Sequence, residues 1–220
     1  MFLGVICTIL FIVVCLRGLE KRRGKRAIFT KLHTPASILL VIVTVAHIAA
    51  TWQYLDARPF SIFATGFLAG FLILLATVNG YLIGNMGSAK MQARLHRAVA
   101  LLACISIILH VAAIVVGVTA YQARVQNIEI TNIDATHIPD GVYIGKYDVT
   151  YVAVRLAVTV ESGRISDIEI LEHRGGAQGI PAEAIIHTIT EQQNIDVDTI
   201  TGATNSSRVI QAAIINALQQ

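Results

Sequence analysis

Apolar positions fill the first half of the chain in long runs, and in the second half they alternate with polar ones. Four runs, over residues 2–16, 35–54, 63–86 and 98–121, are almost unbroken. A helix needs about 20 apolar residues to cross a bilayer, so the last three qualify; the first does if it continues through Leu19. These runs predict four transmembrane helices. After residue 121 the pattern turns to a polar linker over 122–138, with one membrane-proximal strand at most. A strand follows over 141–147. Val152, Val154, Leu156, Val158 and Val160 then alternate with Ala153, Arg155, Ala157 and Thr159, the period-two signature of a half-buried strand. Glu161-Ser-Gly-Arg164 turns this strand into another over 165–171. Gly175, Gly176 and Gly179 mark a loop, and residues 181–193 read as a helix with Ile185, Ile186 and Ile189 facing inward. A last amphipathic helix carries Val209, Ile210, Ala213, Ile214, Ala217 and Leu218, with Ser206 or Ser207 as its N-cap. The predicted fold is a membrane α-helical four-helix bundle over 1–121, the linker, and a small α+β domain over 139–220.

Charge sharpens the division. Mean hydropathy is +0.65, and the net charge of +3 hides a split. Residues 1–120 carry eleven Lys and Arg against two Asp and Glu; residues 121–220 carry six against twelve. The basic residues flank apolar runs, which points to a membrane rather than to nucleic acid. Seven of them lie between Arg17 and Lys31, and Lys90, Arg94 and Arg97 form a second group. By the positive-inside rule both groups are cytoplasmic, which puts both termini and the acidic domain outside. The first run has no basic residues before it, as a signal peptide would. Cys7, Cys15 and Cys104 fall inside apolar runs and read as small buried hydrophobes, not as a disulfide or zinc set.

The membrane half repeats itself. Lys31-Leu-His33 and His47-Ile-Ala-Ala50 align with Arg94-Leu-His96 and His110-Val-Ala-Ala113 at one constant shift. Within each copy the histidines are fourteen residues apart, a rise of about 21 Å that ends about 40° short of four turns. Each pair therefore lies on one side of its helix, near opposite ends. Two such helices set His33 opposite His96 and His47 opposite His110. That is the ligand arrangement for two b-type haems, an inner and an outer one, inside a helix bundle. It resembles membrane cytochromes b and the ferric-reductase-like group in ligand placement, though in no longer motif. Polar packing after gene duplication is the plain alternative, but ionisable residues within a span are rare and usually functional. Lys31, Arg94 and Arg97 fit haem propionates and fit simple positive-inside anchoring equally. Gly66-x-x-x-Gly70 and Gly80-x-x-x-Gly84 fit close helix packing first, and cofactor clearance second.

The C-terminal half carries a short motif, Asp-Thr-Ile-Thr-Gly-Ala-Thr-Asn-Ser-Ser over residues 198–207. Small hydroxyl residues before a helix N-terminus make a natural phosphate seat. Asp-x-x-Thr-Gly-Ala-Thr resembles the signature of the FMN-binding domain family. That family includes the flavin-bearing C subunit of the sodium-pumping NADH:quinone oxidoreductase and the G subunit of Rnf-type complexes. Asp140-Gly-Val-Tyr-x-Gly145 resembles the family's opening strand, and residues 158–173 its central hairpin. The resemblance implies a small α+β domain holding FMN. It implies that Thr204 carries the flavin through a phosphoester bond made by a separate flavin transferase. Asp198, Thr201, Gly202, Ala203, Ser206 and Ser207 would form the rest of the FMN site. This chain departs from the family in Lys146-Tyr-Asp-Val-Thr-Tyr151, where a glycine-richer stretch is common.

Together these readings describe a membrane electron-transfer flavocytochrome, an oxidoreductase component of the bacterial cytoplasmic membrane. Electrons would pass between a cytoplasmic or quinol-level donor and an extracytoplasmic FMN by way of two b haems. One alternative is a membrane-anchored flavoprotein subunit of a larger redox complex, whose helices bind no haem. A flavin-binding sensor is a third, and gives the duplicated histidines no task. His137, His173 and His187 read as solvated surface or loop histidines.

Overall fold

A computed structural model of the chain describes residues 2–23, 28–82 and 88–220. Lys25, Arg26 and Gly84 lie outside the described residues, as does the end of the third apolar run. The chain divides into two compact units, Met1–Val115 and Val116–Gln220.

The first unit is helical: α1 (Phe2–Arg23), α2 (Ile28–Thr51), α3 (Phe60–Leu82) and α4 (Ala89–Gln126), with a 3-10 turn Trp52–Ala57 after α2. Three of the helices, α2, α3 and α4, are long and apolar enough to cross a membrane; α1 is apolar over the shorter Phe2–Arg17. Only 17–22% of each candidate span is buried within the protein. Ile42, Phe71, Leu101 and Ile108 are 60–66% exposed, so the outer surface is apolar and suits a hydrocarbon surround. A small core of Leu40, Leu72, Ile73, Val99 and Ala103 joins the helices. Hydroxyls on these apolar helices satisfy themselves locally: Thr8, Thr51, Thr65 and Thr77 each donate to the carbonyl four residues back. Pro35, expected at the start of a helix, instead sits inside α2, which begins at Ile28. Placed so near the N-terminus it displaces one intrahelical bond, and the turn beside it is held by Ser37 Oγ donating to His33 O at 2.6 Å.

The second unit is a three-stranded antiparallel sheet in the order β1 (Gly141–Asp148), β2 (Ala153–Glu161), β3 (Arg164–Arg174), with α7 (Thr204–Leu218) packed on β1 and β2. The hairpin turns at Ser162 and Gly163, with φ 52° and 72°, as a tight two-residue connection requires. Val154, Leu156, Val158 and Val160 are at most 2% exposed and meet Val209, Ile210, Ala213 and Ile214 of α7 in one core. The expected strand in the linker is absent from the described residues. α4 continues to Gln126, and the chain then runs extended to a 3-10 turn at Ala135–His137. Asp134 caps that turn by accepting the Thr136 N–H at 2.9 Å, which holds its carboxyl below the usual carboxylate range. The glycine loop contains a one-turn helix, α5 (Gly176–Gly179), and the helix expected over 181–193 opens as a 3-10 turn, Ile180–Ala184, before α6 (Ile185–Gln192). Pro181 accounts for the break after α5, since it has no N–H to continue the α pattern from α5.

Two contacts set the closeness of this packing. Gly145 of β1 is buried against the backbone of α7, and a Cβ there would collide with Ala213 O and stand 2.8 Å from Ala217 Cβ. Gln211 is 2% exposed, and its Nε2 donates to Ile195 O at 2.8 Å and to Val197 O at 3.0 Å, pinning the segment that leads to Asp198. Gly145→Ala is expected to destabilise the second unit by about 1–3 kcal/mol, through overpacking against immovable backbone. Urea denaturation followed by proteolysis of residues 116–220 measures this. Gln211→Leu, close in volume, removes the side-chain donor from Val197 O and leaves Ile195 O only the Val197 N–H, at a cost of about 1–3 kcal/mol. Amide exchange is expected to rise over residues 195–200 and to stay unchanged in β2.

Candidate functional site

The Thr-Gly-Ala-Thr segment folds as a turn feeding a helix. Ala203 N–H donates to Ile200 O at 2.9 Å, closing a β-turn with Gly202 in its third position at φ +80°. A type II turn demands that conformation, which is why glycine is there. α7 starts directly after, at Thr204. The expected N-caps therefore fall inside its first turn, and Ala203 in the cap position supplies no side-chain bond. Ser207 is put to a different use. Its Oγ accepts the Ile200 N–H at 3.1 Å and donates to Ala203 O at 3.2 Å, so it braces the turn from behind.

Thr204 is exposed at the rim of a cavity of about 310 Å³. Gly202, Ala203, Asn205 and Ser206 line it from the helix side, Gly175, Gln178 and Gly179 from the α5 side, and Tyr121 and Val152 complete it. The free N–H groups of a helix N-terminus favour an anion here. Tyr121 gives the cavity an aromatic edge, and its ring packs on Tyr151 at 5.1 Å between centres, tilted by 57°. Asp198 and Thr201 line a separate, more polar cavity of about 540 Å³ with Thr188, Asp196 and Thr199. Of the expected FMN residues, then, Gly202, Ala203, Thr204 and Ser206 share one cavity, Asp198 and Thr201 share another, and Ser207 lines neither.

His173 was expected to be a solvated loop residue, and the structure corrects that reading. It sits near the end of β3 with its side chain 4% exposed, and Nδ1 donates to Glu183 Oε1 at 2.7 Å. Its Nε2 is buried without a hydrogen-bond partner. The sequence held one sign of this, the glycines at 175 and 179 beside a histidine, but the carboxylate lies ten residues away across two turns. His187 is on the helix surface, paired with Glu191, and His137 is exposed.

In the first unit His33 and His96 meet across helices. The ring centres of His33 and His96 lie 6.1 Å apart with planes crossed at 81°. Two imidazoles on opposite sides of one metal ion, each nitrogen about 2 Å from it, have centres about 6 Å apart. His33 Nδ1 bonds Val14 O at 3.2 Å and His96 Nδ1 bonds Ala76 O at 3.0 Å. A carbonyl only accepts, so Nδ1 carries the proton and Nε2 keeps its lone pair, the state a metal-bound histidine needs. His110 Nδ1 bonds Thr65 Oγ1 at 3.2 Å. Glycines flank the rings. A Cβ at Gly66 would stand 2.9 Å from His110 Cε1, at Gly80 3.2 Å from His96 Cε1, and at Gly4 3.4 Å from His47 Cε1. Gly70 instead receives Ile48 and Thr44 of α2, an ordinary helix contact.

These partners extend the internal repeat. Gly4, Val14 and Gly18 of α1 correspond to Gly66, Ala76 and Gly80 of α3, with the same offset in all three pairs. The glycines, like the histidines, are fourteen residues apart, a signal that reading the histidines alone leaves unused. No cluster of three or more His, Cys, Asp or Glu of metal-site type occurs among the described residues. A bis-histidine iron needs only two protein ligands.

No curated protein and no solved structure matches the chain. Residues 151–219 match the family model of the FMN-binding domain, under a third of the chain. That match covers β2, β3 and α7, and with them the Thr204 turn and most of the wall of its cavity. Residues 151–219 are thus similar to an FMN-binding domain, which suggests a flavin-carrying redox role.

Proposed function

We propose that the chain is a transmembrane electron-transfer flavocytochrome. It joins a cytoplasmic or quinol-level donor to an extracytoplasmic FMN by way of two b-type haems. His33 and His96 bind the inner haem iron, and His47 and His110 the outer one. FMN is held covalently on Thr204, through a phosphoester installed by a separate flavin transferase, with Asp198, Thr201, Gly202, Ala203, Ser206 and Ser207 shaping the loop around it. Four helices cross the bacterial cytoplasmic membrane, and both termini and the flavin domain lie outside. Flavin and haem supply the redox chemistry when bound; the protein supplies position and electrostatics.

The observation that carries this reading is the His33–His96 pair. The two rings are 6.1 Å apart, and each Nδ1 is committed to a carbonyl of the neighbouring helix. Packing alone gives no reason for both rings to reserve the same nitrogen. The FMN-binding match over 151–219 supplies a redox partner within the same chain. On the flavin side, exposure of Thr204 at the first turn of α7 leaves its hydroxyl open to a modifying enzyme.

Two measurements test it. The reduced-minus-oxidised spectrum of the detergent-purified protein is expected to show b-type bands from two haems beside a flavin contribution. His33→Ala and His47→Ala are each expected to remove one haem, and Gly66→Val, by driving a side chain into His110, to remove the outer one. A folded protein with flavin and no haem favours the membrane-anchor reading instead. Thr204→Val is expected to abolish flavin fluorescence on a denaturing gel and to remove the mass of one FMN less one water, while the haem bands remain.

A further inference from the structure

We propose that Tyr121 is the aromatic wall of the flavin site. The isoalloxazine ring of an FMN carried on Thr204 packs against the Tyr121 ring, and Asn205 and Tyr151 hold that ring in place. The inference rests on the flavin reading of the Thr204 cavity and adds to it the residue that meets the flavin ring.

A flavin brings a broad planar ring system, and apolar or aromatic side chains are the surfaces on which such ligands pack. Most residues around Thr204 are glycine or small and polar. Tyr121 is the one aromatic residue among those that line the cavity, and Val152 is the one aliphatic side chain larger than alanine. Ring stacking therefore has a single partner in this wall.

Tyr121 is built into the second unit, although it lies on the long helix α4. Tyr121, Arg124 and Val125 stand at positions i, i+3 and i+4, one face of the helix end. Val125 is 2% exposed in the core of the unit, and its carbonyl accepts from Arg208 Nε at 3.1 Å. Arg124 Nη1 donates to Thr150 Oγ1 at 2.8 Å. The Tyr121 hydroxyl pairs with the side chain of Asn205, which follows Thr204 in sequence and also lines the cavity. The ring is half-buried, and its position at the cavity is fixed.

Tyr151 packs on this ring, with centres 5.1 Å apart. Its own hydroxyl is buried with no hydrogen-bond partner among the described residues, so ring packing is what Tyr151 contributes. The backbone before it is strained. The Tyr151 N–H donates to Val149 O at 3.1 Å around Thr150, whose φ is +80°. That left-handed conformation is unfavourable for a β-branched residue, and such strain gathers at functional sites. Asp148 Oδ1, accepting the Thr150 N–H at 2.7 Å, and the Arg124 bond hold the turn. Tyr121 lies outside residues 151–219, so the wall comes from beyond the segment that matches the FMN-binding family.

The test uses full-length protein with FMN installed on Thr204 by a flavin transferase, so that the flavin stays in the sample whatever its ring touches. An electron-rich phenol in contact with an excited flavin quenches its emission, and a stacked ring tumbles only with the whole protein. Time-resolved emission is expected to show a dominant short-lived component with slowly decaying anisotropy. Tyr121→Phe, which stacks but donates electrons poorly, is expected to lengthen that component and to keep the slow anisotropy. Tyr121→Leu is expected to lower the ratio of docked to free ring at least about fivefold, as loss of one stacking contact does. A fluorescent band on a denaturing gel shows that each variant carries flavin, and circular dichroism shows that it is folded. If Tyr121→Leu fails either check, Tyr121→Phe decides alone. A loaded, folded Tyr121→Phe protein with the wild-type emission lifetime overturns the proposal. A folded wild-type protein without a fluorescent band overturns the flavin reading instead.

Discussion

The C-terminal unit depends on the burial of α7. Eleven of its fifteen residues are buried, so the helix has no broad polar face to turn towards water. Each polar side chain it carries must end on a polar group of the protein, and the groups available are backbone carbonyls and amides of surrounding loops. Gln211 takes two carbonyls of the segment before Asp198, and Ser207 holds the turn that presents Thr204. Arg208 donates to Val125 O and Ile128 O at 3.1 Å and 2.6 Å, where α4 ends and the linker begins. Asn216 accepts the Lys146 N–H at the edge of β1. One buried helix thereby fixes the loops that shape the cavity, and Thr204 stands where the helix emerges.

The helical unit meets the same requirement under harder conditions. Its surface is apolar and its core is small, so little beyond the helices themselves is available to satisfy a polar side chain. Threonines turn back on their own helices. An imidazole cannot do this with both nitrogens, and the carbonyls of Val14 and Ala76 receive only one from each ring. Glycine on the opposing helix is what lets a ring approach that closely. A methyl group at Gly66 would already press on His110. The repeat thus holds a set of interlocking parts: a ring, the glycine that admits it at His47, His96 and His110, and the carbonyl that orients His33 and His96.

Much of this was legible because it was periodic. Alternation gave β2 and β3, three of the four apolar runs became helices long enough to span, and the duplicated spacing pointed to the approach of His33 and His96. The failures came where a tertiary contact outweighed a local preference. Pro35 lies within α2 at the loss of one intrahelical bond, and Ser37 Oγ bonds His33 O beside it. Ser206 and Ser207 look like caps in sequence. Yet the type II turn at Gly202 delivers the chain into helical conformation three or four residues sooner, and Ser207 serves the turn instead.

His173 shows why the rest was not legible. In sequence it stands between a strand and a glycine-rich stretch, surroundings that usually mean exposure to water. It is buried because Glu183 folds back through two short turns to meet Nδ1, and because α7 carries Ser206 to the other side of the glycines. His173, Glu183 and Ser206 are unevenly spread along the chain, with no shared period to connect them. The approach of His33 to His96 could be anticipated since a duplication repeated one helical spacing. A site assembled from a strand end, a 3-10 turn and a helix start leaves only indirect marks. Here the mark is glycine at 175 and 179 with backbone angles any residue adopts, where a side chain would press on His173 and Ser206.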